Sequence, residues 1–210
     1  AFIFLGGVKR IAAITEKLVP IMAIFYICGA LIAIGMNAQN ILPAFKSIFV
    51  GAFSPEAVMG GAIGISIKEA VRFGVARGLF SNEAGMGSTP HAHAMAKVAK
   101  PQDQGAVAMV GVFIDTFIVL TITALVILTS GMLGTTGADG QMLTATALAQ
   151  AAFNNSFGSF GNIFVAICLL FFAFSTIVGW YFFGEANVKA LFKGSKKATV
   201  AYGVIALVFI

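Results

Sequence analysis

Charged residues are scarce in this sequence. Asp, Glu, Lys and Arg together make up 10% of the 210 residues, whereas hydrophobic residues make up 59% and the mean hydropathy is +0.97. Soluble domains carry about 25% charged residues, so this composition argues against a water-soluble protein. Since a bilayer requires every backbone polar group to be satisfied internally, we predict an all-α integral membrane protein.

Cysteine and histidine are also rare, which limits the possible chemistry. The two cysteines, Cys28 and Cys168, lie in apolar segments and are interpreted as small buried hydrophobic residues rather than a disulfide. The two histidines, His91 and His93, lack a nearby Cys or carboxylate cluster and form only a weak metal motif. An intramembrane hydrolase needs a base beside its nucleophile at membrane depth, and the apolar runs contain no histidine. We therefore predict that the protein is not an enzyme.

Long uncharged runs predict the membrane spans. Residues 18–36 and 162–183 carry no charge, and 105–131 carry only Asp115, so each is long enough for a helix that crosses the bilayer. Shorter apolar runs at 1–7 and 198–210 are predicted to end one further span and to begin another. We expect residues 1–210 to be a single transmembrane domain that belongs to a longer polypeptide.

The positions of the cations predict the orientation of these spans. Cations in short loops mark the cytoplasmic side. They fall before 18–36, before 105–131 and after 162–183, at Lys9, Arg10, Lys17, Lys97, Lys100, Lys189, Lys193, Lys196 and Lys197. The stretches 37–60 and 132–161 contain Lys46 as their single Lys or Arg residue and are predicted to be extracellular. Loops on one side are separated by an even number of crossings, so a further crossing is required at about 60–90.

This additional crossing is unusual because it contains charges and many glycines. The charged residues are Lys68, Glu69, Arg72, Arg77 and Glu83. Charges in hydrocarbon cost several kcal/mol, so the element is expected to be buried among other helices or to line a wet cavity. Glycine interruptions at membrane depth indicate a broken helix of the kind that secondary transporters use for binding. The alternative is an amphipathic helix at the membrane surface.

The same region carries a long motif. Residues 73–88, FGVARGLFSNEAGMGS, followed by Pro90-His91-Ala92, resemble the signature of the alanine or glycine:cation symporter family. Agreement continues in residues 6–11, 16–20, 111–116 and 172–177, so the resemblance covers nearly the whole chain. The earlier broken helix of that family and the last part of its fold are absent from this sequence.

The resemblance implies a fragment of a leucine-transporter-like inverted-repeat fold, from the end of core helix four through the start of core helix nine. It implies a secondary active transporter that couples sodium to the symport of small neutral amino acids, alanine or glycine, by alternating access. The implied setting is the inner or plasma membrane of a prokaryote, with the lipid bilayer and the missing N-terminal half of the same polypeptide as partners and no nucleic acid. Proton coupling is the alternative, followed by an intramembrane hydrolase or a channel.

A hydroxyl pair in the run 162–183 is the candidate cation site. Ser175 and Thr176 lie in the middle of an apolar span. Such hydroxyls commonly donate back to a carbonyl one turn earlier. The resemblance implies that both ligate the coupling sodium ion, the only metal expected, because oxygen donors suit hard cations.

The resemblance also implies substrate contacts. Trp180 lies one turn beyond Thr176 and is implied to limit the size of the substrate side chain, although a tryptophan can equally be an interfacial anchor. A broken helix presents free amides to a substrate carboxylate, which favours residues near the break as pocket lining. These residues are Gly60, Gly61, Gly64 and Ile65, for which close helix packing is the alternative.

Four polar residues are assigned structural or gating roles rather than ion binding. Asp115 lies within a span and is a candidate to pair with Arg77 or Arg72. Glu83 follows Ser81 and Asn82, either of which could cap a helix that begins there. The residues in this group are Arg77, Asn82, Glu83 and Asp115.

Overall fold

The computed structural model describes residues 7–53, 67–137 and 140–209, in which the long regular elements are all helices. This confirms the all-α prediction. A 3-10 turn at Ala38–Asn40 follows α1. The helices are α1 (Gly7–Met36), α2 (Ile41–Phe53), α3 (Ile67–Ser81), α4 (Thr89–His93), α5 (Pro101–Ser130), α6 (Ala145–Phe157), α7 (Phe160–Leu191) and α8 (Lys196–Phe209).

Three of these helices are long and apolar enough to cross a membrane. They are α5, α7 and the part of α1 from Ala13 to Met36, with 30, 32 and 24 residues respectively. About 20 residues suffice to cross the hydrocarbon core. Their length and composition fit the predicted membrane class. The finer predictions, of one domain over 1–210, of a crossing at 60–90 and of an inverted repeat, stay predictions.

Helix α5 contains a wide turn in its middle. Residues Ile114–Leu120 form a π-helical segment between the α-helical parts Pro101–Phe113 and Thr121–Ser130. Proline at the first position suits the start of the helix because it has no N–H to leave unpaired. Gly131, at φ 72°, ends the helix in the left-handed conformation that glycine adopts without strain. π segments occur often at functional sites.

The chain turns sharply after α3. Glu83, Gly85 and Gly87 all have positive φ, at 49°, 80° and 76°. Two of these three positions are glycines, which tolerate this conformation because they lack Cβ. The glycines between 83 and 88 therefore form a tight connection between α3 and α4.

The structure divides into two compact units, which are described separately. The first contains residues 1–26, 88–97 and 166–210, and the second contains 27–87 and 98–165.

In the second unit, helices pack closely at two glycines, one of which lies against an aromatic ring. The Phe164 ring lies 4.9 Å from that of Phe153 and 5.8 Å from that of Phe157. A Cβ on Gly29 would collide with the Phe164 ring, and a Cβ on Gly161 would lie 2.5 Å from the backbone nitrogen of Asn154. These two positions therefore need glycine for close helix contact, as is common between membrane helices.

Two asparagines of the second unit hold the turn that follows α1. The Asn37 amide donates to Ser156 Oγ at 2.8 Å and to Ala33 O at 3.0 Å. The Asn40 amide donates to Thr129 O at 2.7 Å, at the end of α5. These bonds satisfy polar groups that would be costly to leave unpaired in a membrane.

In the first unit, α7 packs against α8 through two tyrosines. Val178 and Tyr181 are buried, and the rings of Tyr181 and Tyr202 stack with centroids 5.4 Å apart. The Tyr202 hydroxyl lies directly against Gly184, where a Cβ would collide with it. The missing side chain at residue 184 thus permits the close approach of the two helices.

Candidate transport site

The hydroxyl pair on α7 bonds within its own helix. Ser175 Oγ and Thr176 Oγ1 each lie 2.9 Å from the carbonyl oxygen of Phe172. The local bonding that the sequence suggested is therefore present. A carbonyl can only accept, so both hydroxyls donate their protons to it and keep their oxygen lone pairs unused by this bond. In this arrangement the two hydroxyl oxygens can accept a hydrogen bond or coordinate a cation while both hydroxyls stay bonded to Phe172 O.

Thr176 and Trp180 line the same groove between α7 and α8. The groove has a volume of about 410 Å³. Trp180 is 45% exposed, and its ring meets that of Phe183 edge to face at 5.7 Å. Apart from the Thr176 hydroxyl and two phenols, the walls are hydrocarbon and aromatic carbon, from Ile177, Tyr181, Tyr202, Ile205, Ala206 and Phe209.

A second polar cluster joins α3 to the π segment of α5. Ser81 Oγ donates to Asp115 Oδ2 at 2.6 Å, and Thr116 Oγ1 donates to Asn82 Oδ1 at 3.1 Å. Ser81 and Asn82, at the end of α3, thus pair with the consecutive residues Asp115 and Thr116 of the π segment. The structure gives Asp115 a hydroxyl as its partner, whereas the sequence suggested an arginine. Arg77 lies on an exposed part of α3.

The prediction that Ser81 or Asn82 caps a new helix is wrong. Helix α3 ends at Ser81, and the next helix begins only at Thr89. Asn82 instead donates its side-chain amide to Gly78 O at 3.0 Å, which satisfies a carbonyl at the end of α3. Glu83 follows in the left-handed conformation rather than at a helix N-terminus.

The predicted substrate-binding residues near the helix break lie outside the described residues. They are Gly60, Gly61, Gly64 and Ile65. His91 bonds through Nδ1 to Ser88 O at 3.0 Å and through Nε2 to Asn187 Oδ1 at 3.2 Å, which ties α4 to α7. Within the described ranges, no three His, Cys, Asp or Glu residues come together as a metal site.

Sequence reasoning missed Glu185. This residue is 2% exposed on α7 and pairs with Lys189, with 2.6 Å between Oε1 and Nζ. Its other oxygen, Oε2, is buried and has no hydrogen-bond partner among the described residues. The predicted span ended at residue 183, two positions too early to include it. The spacing of Glu185 and Lys189, one helical turn apart, was the available signal.

Comparison with known proteins decides the family. The whole chain, residues 1–210, matches the sodium:alanine symporter family. The chain belongs to this family. The resemblance seen in the sequence is thereby confirmed, and since this is a family of transporters, the protein is not an enzyme.

Named relatives fit this assignment. A sodium/alanine symporter of Methanococcus maripaludis is 41% identical over 98% of this chain and 44% of its own length. A sodium/proton-dependent alanine carrier of Bacillus sp. strain PS3 is 38% identical over 100% of this chain and 48% of its own length. A probable sodium/glutamine symporter of Bacillus subtilis is 39% identical over 98% of this chain and 41% of its own length. The chain thus spans less than half the length of these relatives.

Proposed function

We propose that this chain is part of a secondary active transporter that uses a sodium gradient to carry alanine or glycine by alternating access. Its family membership over the whole chain supports symport of a cation with an amino acid. The observation that carries the sodium assignment is the hydroxyl pair on α7. Ser175 and Thr176 both direct their protons to one carbonyl and keep oxygen lone pairs for a cation.

The proposed sodium site is completed by the rest of the polypeptide. A hard cation needs several oxygen ligands, and Ser175 and Thr176 supply two. In the leucine-transporter-like fold that we propose, the first broken helix contributes backbone carbonyls to the same site. In that scheme α1 corresponds to core helix five, α3 to the later half of six, α5 to seven, α7 to eight and α8 to nine.

The proposed selectivity for small side chains rests on Trp180. Its indole lines the groove, one turn from Thr176, and is the largest side chain of the groove wall. The substrate carboxylate is proposed to bind free backbone amides near Gly60, Gly61, Gly64 and Ile65, where no charged side chain is needed. One relative is named for glutamine, so the size limit is the property to measure.

The proposed setting is a prokaryotic inner or plasma membrane that the chain crosses several times, with the lysine-rich ends of the helices in the cytoplasm. Within it, the Ser81–Asp115 and Asn82–Thr116 bonds connect the later half of the broken helix to α5. We assign these residues, with Arg77 and Glu83, to gating, because alternating access requires the broken helix to move against its neighbours.

The test is uptake of labelled alanine, glycine and glutamine by proteoliposomes that contain the full-length parent, with sodium and proton gradients imposed separately. We expect sodium-driven uptake of alanine or glycine. Thr176→Ala should abolish it, whereas Thr176→Ser, which keeps the oxygen, should retain it. Thr199→Ala is the matched control, because Thr199 on α8 makes a similar bond to Ser195 O at 3.1 Å.

Three outcomes contradict parts of the proposal. Uptake driven only by protons removes the sodium assignment and favours the proton-coupled alternative. Equal uptake by Thr176→Ala and the parent removes the hydroxyl site. Absence of saturable amino-acid uptake under either gradient overturns the symport function itself.

A further inference from the structure

Glu185 carries a buried charge that its surroundings stabilise only in part. Its side chain is 3% exposed, and only one of its two oxygens is paired, with Lys189. Oε2 has no hydrogen-bond partner among the described residues. Burying a carboxylate with an unpaired oxygen is energetically unfavourable, so buried charges in proteins are usually paired and fully hydrogen-bonded.

Among the described residues, two phenols and an ammonium lie near Glu185. Tyr181 and Lys189 lie on the same helix, α7, and the hydroxyl of Tyr202 from α8 lies against Gly184, the residue before Glu185. On α7, the nearby Asn187 holds His91 of α4. The Tyr202 hydroxyl donates to Tyr181 O at 3.5 Å, the outer limit for a hydrogen bond, so this bond is weak.

These surroundings favour a proton over a metal cation at Glu185. The Lys189 ammonium lies 2.6 Å from Oε1 and would repel sodium. A sodium ion also needs several oxygen ligands, whereas a proton needs only the carboxylate and one acceptor. The phenolic oxygen of Tyr202 can accept a hydrogen bond from a protonated carboxyl, because a phenol both donates and accepts.

The two partners differ in their access to water. The Lys189 side chain is 41% exposed, so its ammonium can stay charged and hydrated when the ion pair opens. Glu185 is enclosed by protein and cannot be hydrated in the same way. Opening the pair therefore requires the carboxylate to be neutralised. A proton does this directly when a carboxylate oxygen of Glu185 forms an O–H bond, and the Lys189 ammonium is then hydrated instead of paired.

From this geometry we infer that Glu185 is a proton-binding site, at which a proton from the cytoplasmic side replaces the Lys189 ion pair during the transport cycle. The inference rests on the proposed symport function and adds a pH-sensing residue to it. The site lies beside Gly184, where Tyr202 of α8 lies directly against α7. A change of charge there alters the contact between these two helices.

The first test does not depend on transport. A hydrophobic carbodiimide reacts with protonated carboxyl groups, and its adduct is located by mass spectrometry on the full-length parent in membranes over a range of pH. We expect Glu185 to be modified increasingly as the pH falls. Lys189→Met should increase the modification of Glu185 at a fixed pH, because the carboxylate loses the cation that competes with the proton, and Lys189→Arg should leave the modification near that of the parent. Asp103→Asn, on the exposed first turn of α5, is the control and should change nothing.

The second test measures sodium-driven uptake against the pH inside proteoliposomes. Glu185→Gln resembles the protonated form, so we expect loss of pH dependence, with uptake fixed at the level that the parent reaches at low pH. An absence of Glu185 modification at every pH at which the parent stays folded would overturn the inference. So would an unchanged extent of Glu185 modification in Lys189→Met, or a parental pH profile in Glu185→Gln. If the parent shows no sodium-driven uptake, the proposed function fails, while the carbodiimide result still decides whether Glu185 binds a proton.

Discussion

Ser81 donates its hydroxyl proton to Asp115 Oδ2 across 2.6 Å, and this bond ties the end of α3 to the wide turn of α5. A hydrogen bond to an ionised carboxylate is shorter and stronger than one between neutral groups. The two residues are 34 positions apart in the sequence, so the bond fixes a tertiary relationship rather than a local one.

The first prediction concerns this bond. Ser81→Ala should lower the stability of the full-length parent by about 1–3 kcal/mol, because Asp115 loses its donor. Asp115→Asn should cost less, since the amide oxygen still accepts from Ser81. Thermal unfolding in detergent measures both. Ser47→Ala is the control, because Ser47 bonds to Pro43 O of its own helix, at 2.9 Å; a loss at Ser47 equal to that at Ser81 would refute the tertiary role.

The neighbouring bond should affect transport rate. Thr116→Val removes the donor to Asn82 Oδ1 and keeps the shape of the side chain. If the cluster acts in gating, the maximal uptake rate should change severalfold while the apparent affinity for the substrate stays similar. Thr123→Val offers a comparison in the same helix, since Thr123 bonds to Val119 O one turn earlier, at 2.7 Å. Similar kinetics for the two variants would argue against a gating role for Asn82 and Thr116.

Close packing in the second unit gives a third prediction. Gly29→Ala should destabilise the protein by about 1–3 kcal/mol, because the added methyl collides with the Phe164 ring and overpacking forces the helices apart. Gly35→Ala in the same helix meets no atom within 4 Å among the described residues. It should be neutral or slightly stabilising, since alanine favours helix over glycine. The yield of monodisperse protein and the unfolding midpoint compare the two variants, and equal effects would contradict the packing assignment.

Trp180 provides a test of substrate size. Trp180→Ala should raise glutamine uptake relative to alanine uptake, because it removes the largest side chain from the groove wall. Each additional methylene accommodated is worth about 1–3 kcal/mol, or roughly 10- to 200-fold in selectivity. Phe192→Ala is a control of similar change in size near the end of α7, where Phe192 is 54% exposed. An unchanged ratio of the two uptake rates in Trp180→Ala would assign Trp180 to the membrane interface instead.

The membrane class could be predicted because it depends on composition. Uncharged runs such as 18–36 fall within helices of sufficient length, and hydrocarbon leaves the backbone few alternatives to a helix. The family could be predicted from the run 73–88, which contains several glycines and charges at fixed spacing. The shared helical face of Thr176 and Trp180 also followed from their spacing of four residues, whereas the groove that this face forms with α8 did not.

The polar partners could not be predicted, because they depend on the approach of distant segments. The sequence offered Arg77 and Arg72 as partners of Asp115, and only the position of the π segment brings Ser81 to it. The supposed cap at Ser81 and Asn82 failed for a related reason, since the same residue types also occur where helices end. Glu185 was missed because a charge was taken to mark the end of a span, whereas an i, i+4 lysine allows the helix to continue past it.

The wide turn of α5 also has a consequence for how this helix tolerates changes in length. A π segment holds one residue more than an α-helix of the same rise, so a one-residue deletion between Ile114 and Leu120 can be absorbed without breaking the helix. Each residue of an α-helix turns by about 100°, so the same deletion in an α-helical part of α5 would rotate every later side chain by that angle. After a deletion inside the π segment, Thr129 would stay beside Asn40, because the segment tightens to α-helical geometry and the later turns keep their angle. The wide turn therefore makes the number of residues in α5 independent of the angle between its first turns and the end that meets the turn after α1.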